Sequence, residues 1–320
     1  MQRGAKYTEV KGDKHILELK YDKARLPQLA LLATLLALAS LSLFKSFKLG
    51  LVFGSVSLLL QTALIVLRVL VSGRAPITNM YETVLFSGYG ALFLAMVIGH
   101  FKKQKLYVFV GLAYSFCTLM MLNFAGGMVS PKIGPLVPVL RDNFWLSTHV
   151  TTIILSYGAL ALSWVMSNII LIKKRFMKME SSEEKQYINM IYTSQKYGVI
   201  LLAAGIILGG VWADYSWGRF WGWDPKETWS LIVLCIYMAI LHGKSTSWIP
   251  THRFVAITAA AFMSVMMAWF GVNYILASGL HSYGFSQGGA IFLGSFFFIQ
   301  TALIILTTFN LGNKSKLFHA

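Results

Sequence analysis

Nine long apolar runs set the fold class of this chain. A helix needs about 20 apolar residues to cross the hydrocarbon core of a bilayer, and only 12% of the residues are charged, against about 25% in soluble domains. The sequence therefore predicts an all-α, polytopic membrane protein with about nine transmembrane helices. The apolar runs lie at 28–44, 49–71, 84–99, 106–125, 147–172, 198–213, 229–242, 254–277 and 290–310.

Polar segments lie at both ends of the chain and between the runs. Residues 1–27 form a polar N-terminal extension, 28–310 a transmembrane region and 311–320 a cytoplasmic tail. Within the extension, residues 17–22 alternate apolar and charged side chains, a pattern that predicts a β-strand. Either this strand pairs with a sheet in a partner protein, or the segment is a disordered tail. The charged stretch 173–196 is predicted to be an inner connector with a short amphipathic helix.

Basic residues are distributed unequally between the two sets of loops. If the loop after the first run is cytoplasmic, the inner loops carry fifteen Lys and Arg residues and the outer loops five. This asymmetry follows the positive-inside rule, so the net charge of +16 indicates orientation and not a nucleic-acid partner. It predicts an outward, periplasmic face for the loop after the sixth run. We interpret the chain as a protein of the bacterial inner (plasma) membrane, although a thylakoid membrane fits the same charges.

That outward loop carries four tryptophans. Residues 217–230 read WGRFWGWDPKETWS, a short polar stretch between two apolar runs. Each indole offers a rigid face and one N–H donor, and packing alone rarely requires so many in thirteen positions. The segment predicts a partly wetted surface for a large planar ligand, for which heme is the obvious candidate.

Two outer loops lead into helices with recognisable start signals. Asn79 is followed three residues later by Glu82, and Asp224 in the same way by Glu227. These spacings satisfy the unpaired backbone N–H groups of a helix start. Capping is a sufficient explanation for Asp224 and Glu227, and a ligand contact stays open beside it. Arg68, near the end of the second run, either extends outward to water or meets a heme propionate.

Three of the seven histidines occupy positions suited to metal ligation. His149, near the outer end of the fifth run, and His281, just past the eighth, are predicted at the depth of the tryptophan segment. Two imidazoles at one level beside an aromatic surface suit axial ligation of heme iron. His242, at the opposite end of the seventh run, is either an interfacial side chain or a second iron ligand. Cys117 and Cys235, without CxxC or CxxCH spacing, are interpreted as small buried hydrophobic residues.

Several segments together resemble one family of heme-handling membrane proteins. WGRFWGWDPKETW is similar to the tryptophan-rich "WWD" signature. The order of the other matching segments along the chain is typical of the cytochrome c biogenesis family CcsA (ResC), part of the system II cytochrome c synthase. These segments are GRAPITNMYET, FWLSTHV, AILHGK and GVNYILASGLHSYGF. The resemblance covers about residues 70–285.

The resemblance implies a heme-lyase function. Members work with a CcsB (ResB) membrane protein to move heme, here heme b as substrate, to the outer side. There the heme is joined by thioethers to the CxxCH motif of apocytochrome c, and this chain is expected to supply no nucleophile. The chain is therefore expected to be an enzyme subunit, active together with its partner.

The resemblance also implies a set of site residues. His149 and His281 would hold the iron at an outer site, and His242 would hold it at an inner site completed by CcsB. Within the WWD segment 212–230, aromatic and acidic side chains would bind and position the heme. These are Trp212, Trp217, Trp221, Trp223, Asp224 and Trp229.

Two other functions stay open. A heme exporter or delivery protein without ligation activity would share the tryptophan segment and the outer histidines, and covalent heme on a CxxCH substrate would separate the two. A quinol-linked electron-transfer subunit with heme b would instead carry histidine pairs within the spans at two depths. At the inner depth of this chain, His242 is the only histidine that could serve as a ligand.

Overall fold

The computed structural model describes residues 14–134, 142–276 and 288–309, and every long regular element in these ranges is helical. Nine helical stretches of the described residues are long and apolar enough to span a membrane, which confirms the predicted fold class. The elements are α1 (Lys14–Lys23), α2 (Leu26–Ser42), α3 (Phe47–Ser72), α4 (Met80–Lys102), α5 (Lys105–Phe124), α6 (Asn143–Trp145), π1 (Leu146–Val150), α7 (Thr151–Phe176), α8 (Ser181–Trp217), α9 (Pro225–Ser245), α10 (Thr251–Met266), π2 (Met267–Leu276) and α11 (Gly289–Thr308). The tail 311–320 lies outside the described residues.

The N-terminal segment is a helix where a strand was predicted. Residues of the alternating stretch belong to α1, so the strand prediction is wrong, and strand pairing with a partner loses its basis. Leu17 and Tyr21 are four residues apart, and a helix therefore places them on one face as well. Both are half-buried, whereas Leu19 between them is 56% exposed. As one face of a helix, Leu17 and Tyr21 contact the rest of the chain, so the period-two alternation of the sequence does not form a strand.

The chain divides into two compact units, residues 1–147 and 148–320. In the first unit, α2 packs along α3 and α5, and α4 packs along α5. A buried polar cluster joins three of these helices. The hydroxyls of Thr34 and Ser57 are 2.7 Å apart, and the Gln61 amide donates to Ser57 and to Ser115, both at 3.1 Å. Such bonds are strong positional constraints in an apolar surrounding.

A buried ion pair organises one end of the first unit. Arg68 is 0% exposed and Glu82 is 1% exposed. Nη2 and Nε of Arg68 donate to Oε1 of Glu82 at 2.7 and 3.1 Å. Nη1 donates to the Tyr21 hydroxyl and to the Pro131 carbonyl, both at 2.9 Å. The outward-extending interpretation of Arg68 is therefore wrong, and its buried guanidinium leaves no exposed surface for a propionate.

Glu82 also secures the start of α4. Its Oε2 accepts from the backbone N–H and the hydroxyl of Thr78 at 2.8 and 2.7 Å. Asn79 caps the helix, since its Oδ1 accepts from the Glu82 N–H at 2.9 Å. The capping prediction for Asn79 is confirmed. The second role of Glu82, as counter-ion of Arg68, was not anticipated.

The second unit is built on a close contact between α7 and α8. Glycines on one side of α8 face α7. A Cβ atom on Gly198 would lie 2.6 Å from Leu160, and one on Gly205 would lie 2.6 Å from Ile153. Small residues at such positions let two helix backbones approach closely. The last span, α11, is joined to α7 by Gln300, which accepts from the Trp164 indole N–H at 2.8 Å and donates to Asn168 Oδ1 at 3.0 Å.

Helix α8 is longer than the predicted sixth run. Its 37 residues extend about 55 Å at 1.5 Å per residue, well beyond a hydrocarbon core of about 30 Å. The predicted connector 173–196 is therefore mostly the end of α7 and the first turns of α8, and only residues 177–180 separate the two helices. Cys117 and Cys235 are free and exposed on the surface of the chain, so the prediction that they are buried within it is wrong.

The Arg68–Glu82 pair gives a stability prediction. Arg68→Met or Glu82→Gln alone leaves a buried group without its counter-ion, which should lower the free energy of unfolding by about 3–5 kcal/mol. The double variant Arg68→Met/Glu82→Gln removes both charges and should lose less stability than the sum of the two single variants. Denaturant unfolding in detergent micelles measures this. Strictly additive losses in the double variant would contradict the pairing.

Candidate functional site

Most of the predicted site residues lie in the second unit and can be placed. They are His149, Trp212, Trp217, Trp221, Trp223, Asp224, Trp229 and His242. His281 lies outside the described residues, so the predicted outer histidine pair stays a prediction. Among the described residues, no group of three or more His, Cys, Asp or Glu side chains is arranged to hold a metal ion.

His149 is held in one orientation by the backbone of α8. It lies in π1, the five-residue π-helical segment that leads into α7, a type of segment often found at functional sites. Nδ1 of His149 is 2.8 Å from the carbonyl oxygen of Gly205. A carbonyl only accepts hydrogen bonds, so Nδ1 carries a proton, and in the neutral imidazole Nε2 carries the lone pair. Metal-ligating histidines have this arrangement, with one nitrogen donating to a carbonyl and the other bound to the metal.

Two further residues of α8 contact the His149 imidazole. A Cβ atom on Gly209 would lie 2.6 Å from its Cε1, so the ring occupies the space that a side chain would fill. The Trp212 indole meets the imidazole edge to face, with centroids 5.8 Å apart. Trp212 is buried, and its Nε1 has no hydrogen-bond partner among the described residues. A buried donor without an acceptor is costly, and a bound ligand would satisfy it.

The tryptophan segment turns back on the same part of α8. The helix ends at Trp217, and Gly218 follows with a φ of 68°. The Phe220 ring then packs on Gly210, where a Cβ atom would lie 2.5 Å from the ring. Consecutive glycines of α8, Gly209 and Gly210, thus contact the His149 imidazole and the tryptophan segment. Trp212, the first residue of the WWD segment 212–230, is the side chain of that segment that contacts His149 directly.

Two tryptophans at the tip of the segment form an angular aromatic surface. The rings of Trp221 and Trp223 are perpendicular, with centroids 5.9 Å apart. Trp223 is 69% exposed and adopts the left-handed conformation, with a φ of 58°. That conformation costs a non-glycine residue about 1–3 kcal/mol, so the surrounding hydrogen bonds must hold it.

Glu227 provides those hydrogen bonds. Its Oε2 accepts from the backbone N–H groups of Gly222 and Asp224, at 2.8 and 3.1 Å. These are the two neighbours of Trp223. Asp224 in turn accepts from the Lys226 N–H at 2.9 Å, and reciprocal bonds between Asp224 and Glu227 form a capping box at the start of α9. The capping prediction for Asp224 and Glu227 is confirmed, and the bond from Glu227 to Gly222 extends it to the tryptophan segment.

Arg219 is a part of the segment that sequence reasoning counted only as a loop charge. Its guanidinium packs directly on Gly222, in the space a Cβ atom would take. Nη1 of Arg219 is 3.7 Å from Oε1 of Glu227. The sequence features that could have indicated this contact are the WGRFWG spacing and the glycine at position 222.

His242 occupies the other end of α9 from the tryptophan segment. Eighteen residues separate it from Asp224, which is about 27 Å along a helix. Its Nδ1 is 2.8 Å from the Met238 carbonyl oxygen, and the side chain is exposed on the surface of the chain. Since a carbonyl only accepts, Nδ1 is the donor in this bond, as it is in His149.

Comparisons with known proteins agree on one family. The family described as "Cytochrome C assembly protein" matches residues 77–281. The chain is 34% identical over 260 residues to the cytochrome c biogenesis protein CcsA of Guillardia theta, covering 72% of this chain and 85% of that protein. It is 37% identical over 241 residues to the protein NrfI of Wolinella succinogenes, covering 72% of this chain but 25% of that protein.

A solved structure gives the same fold. The cytochrome c heme lyase CcmF aligns with a TM-score of 0.59 at 17% identity, covering 88% of this chain. The alignment spans 50% of the CcmF chain, and at this identity it shows a shared fold alone. With nine apolar spans among its described residues and a family match over residues 77–281, this multi-pass membrane chain belongs to the cytochrome c assembly protein family.

Proposed function

We propose that this chain is the heme-binding membrane subunit of a cytochrome c synthase. It brings heme to the outer side of the membrane and positions it for thioether attachment to the CxxCH motif of apocytochrome c. One observation carries the proposal. The Trp212 indole of the WWD segment meets the His149 imidazole edge to face, with centroids 5.8 Å apart, so the candidate iron-ligating side chain and the WWD segment are in direct contact.

Each part of the site has a role in this proposal. His149, through Nε2, and His281 would together hold the heme iron. Trp221 and Trp223 bind one edge of the porphyrin, and their perpendicular rings leave its other edge open. The unpaired N–H of Trp212 donates to the bound molecule. Trp217 and Trp229, both half-buried, complete the aromatic surround.

The chemistry requires no nucleophile from this chain. Each cysteine thiol of the CxxCH segment adds across a heme vinyl group. The sulfur bonds to one vinyl carbon and the thiol proton goes to the other, so no electrons are gained or lost. The contribution of this chain is placement, since holding two reactants in reacting geometry can lower a barrier by about 7–11 kcal/mol.

His242 belongs to a second, inner heme site in this proposal. Its exposed position on α9 suits an iron ligand whose counterpart comes from another chain, a CcsB (ResB) protein. The heme is heme b. The membrane is the bacterial inner membrane, and the WWD segment 212–230 faces the periplasm. A histidine with its proton fixed on Nδ1 is ready to bind a metal without rearrangement.

Covalent attachment is the direct test. The chain is co-expressed with a CcsB-type protein and a CxxCH substrate, and covalent heme on the substrate is measured by heme staining and mass spectrometry. Wild type should yield heme-bearing substrate, and His149→Ala should lose most of it. Added imidazole should restore part of the His149→Ala activity. Heme that reaches the outer side without thioether bonds would instead favour an exporter.

The Gly209 contact predicts an effect at a residue that touches no ligand. Gly209→Ala places a methyl group against the imidazole and tilts it away from the Gly205 carbonyl. Heme affinity should fall by about 10–100-fold, the usual loss when a ligating histidine loses its orienting contact. Gly294→Ala is the matched control, because a Cβ atom there has open space. Equal heme retention in the two purified variants would contradict the contact.

The role of Glu227 predicts a local loosening of the tryptophan segment. Glu227→Ala leaves the Gly222 and Asp224 N–H groups without their acceptor, so the Gly222 amide should exchange with deuterium faster. Heme attachment should drop several-fold, with Glu227→Gln intermediate. Glu183→Ala, at the far end of α8, removes an equivalent carboxylate that pairs with Lys173. If both Ala variants slow attachment equally, Glu227 has no special role in positioning Trp223.

A further inference from the structure

An open cavity lies in the second unit at the end of the spans opposite the tryptophan segment. It has a volume of about 480 Å³, within the roughly 300–1,000 Å³ range of small-molecule sites. Three helices form it: the first turns of α8, the end of α9 and the start of α10. Its lining residues are Ser181, Glu184, Lys185, Ile188, Asn189, Lys244 and Thr251.

The cavity has an excess of positive charge. Lys185 and Lys244 are its two cations, and Glu184 is its one carboxylate. Glu184 already pairs with Lys174 of α7 at 2.7 Å. No ion pair among the described residues involves Lys185 or Lys244. The charge that remains for a ligand is therefore that of the two ammonium groups.

The second cation is fixed in place. Nζ of Lys244 donates to the Thr251 hydroxyl at 3.1 Å and lies 5.4 Å from the centroid of the Phe254 ring. Hydroxyl and amide groups of Ser181, Asn189 and Thr251 surround the lysines. Such a set of donors recognises the oxygens of a phosphate group. Ile188 adds an apolar wall to this polar surface.

We propose that this cavity binds the headgroup of an anionic phospholipid. Two of its helices are apolar spans that end or begin at the cavity, α9 at Ser245 and α10 at Thr251, which is consistent with the headgroup level of one leaflet. Basic cavities between transmembrane helices are suited to such headgroups. The lysines pair with the phosphate, the hydroxyl and amide groups bind the headgroup oxygens, and Ile188 meets the start of an acyl chain. Lys244 lies two residues after His242, the ligand proposed for the inner heme site, but the proposed lipid site uses a different set of residues.

Lipid binding to the purified full-length chain tests the site. Native mass spectrometry from detergent follows retention of phosphatidylglycerol against phosphatidylcholine. Wild type should retain phosphatidylglycerol preferentially. The double variant Lys185→Gln/Lys244→Gln should bind it about 25-fold more weakly, since each lysine near an anionic headgroup contributes about fivefold to affinity. Lys185→Arg/Lys244→Arg should keep the preference, which also reports on folding.

Charge-matched controls decide the outcome. Lys48→Gln/Lys178→Gln removes two positive charges that do not line the cavity and should bind phosphatidylglycerol like wild type. Equal losses in both Gln variants would overturn the site, because net charge alone would then explain binding. If glycerol phosphate competes as well as the intact lipid, the cavity binds a free phosphate compound and the assignment to a membrane lipid is wrong. Heme attachment measured on the same variants separates this result from the proposed synthase function.

Discussion

The second unit depends on one steric condition, the absence of side chains at two adjacent positions of α8. The His149 imidazole packs in the space that a side chain at Gly209 would occupy, and the Phe220 ring does the same at Gly210. Any larger residue would separate helix α7 or the tryptophan segment from α8. The carbonyl of Gly205, one turn earlier, then fixes the proton on His149 Nδ1. Packing and protonation are thus set by the same short stretch of helix.

Backbone groups hold most of this site, and the apolar surroundings explain why. A lost hydrogen bond is not replaced by water inside a membrane protein, so each bond that is made constrains position strongly. In the exposed tryptophan segment, one carboxylate oxygen of Glu227 holds both neighbours of the strained Trp223 by their backbone N–H groups. In the first unit the buried Arg68–Glu82 pair does the same for α1, α3 and α4. These polar groups specify geometry where apolar contacts alone would allow sliding.

Sequence reasoning succeeded for features that composition and local pattern determine. Nine apolar runs predicted the nine spans found in the described part of the chain, and spacing predicted the caps at Asn79 and Asp224. It failed where the partner of a side chain is distant in sequence. The sequence around Arg68 does not indicate Glu82 as its ion-pair partner. The sequence around His149 does not indicate that its ring bonds to Gly205, 56 residues later. The strand prediction for 17–22 failed because a stretch of six residues fits both the strand period and the helix period. Packing against α3 favours the helix.

The proposed chemistry explains why the site consists of a rigid surface and not of reactive groups. Thiol addition to a vinyl group is supplied entirely by heme and substrate, so the protein can accelerate it only by placement. Placement requires side chains that do not move, and the strained Trp223, held on both sides by Glu227, meets this requirement. The His149 ring, enclosed by Gly209 and Trp212, meets it as well. A flexible loop with the same tryptophans would bind heme but would lose the entropic advantage on which the rate depends.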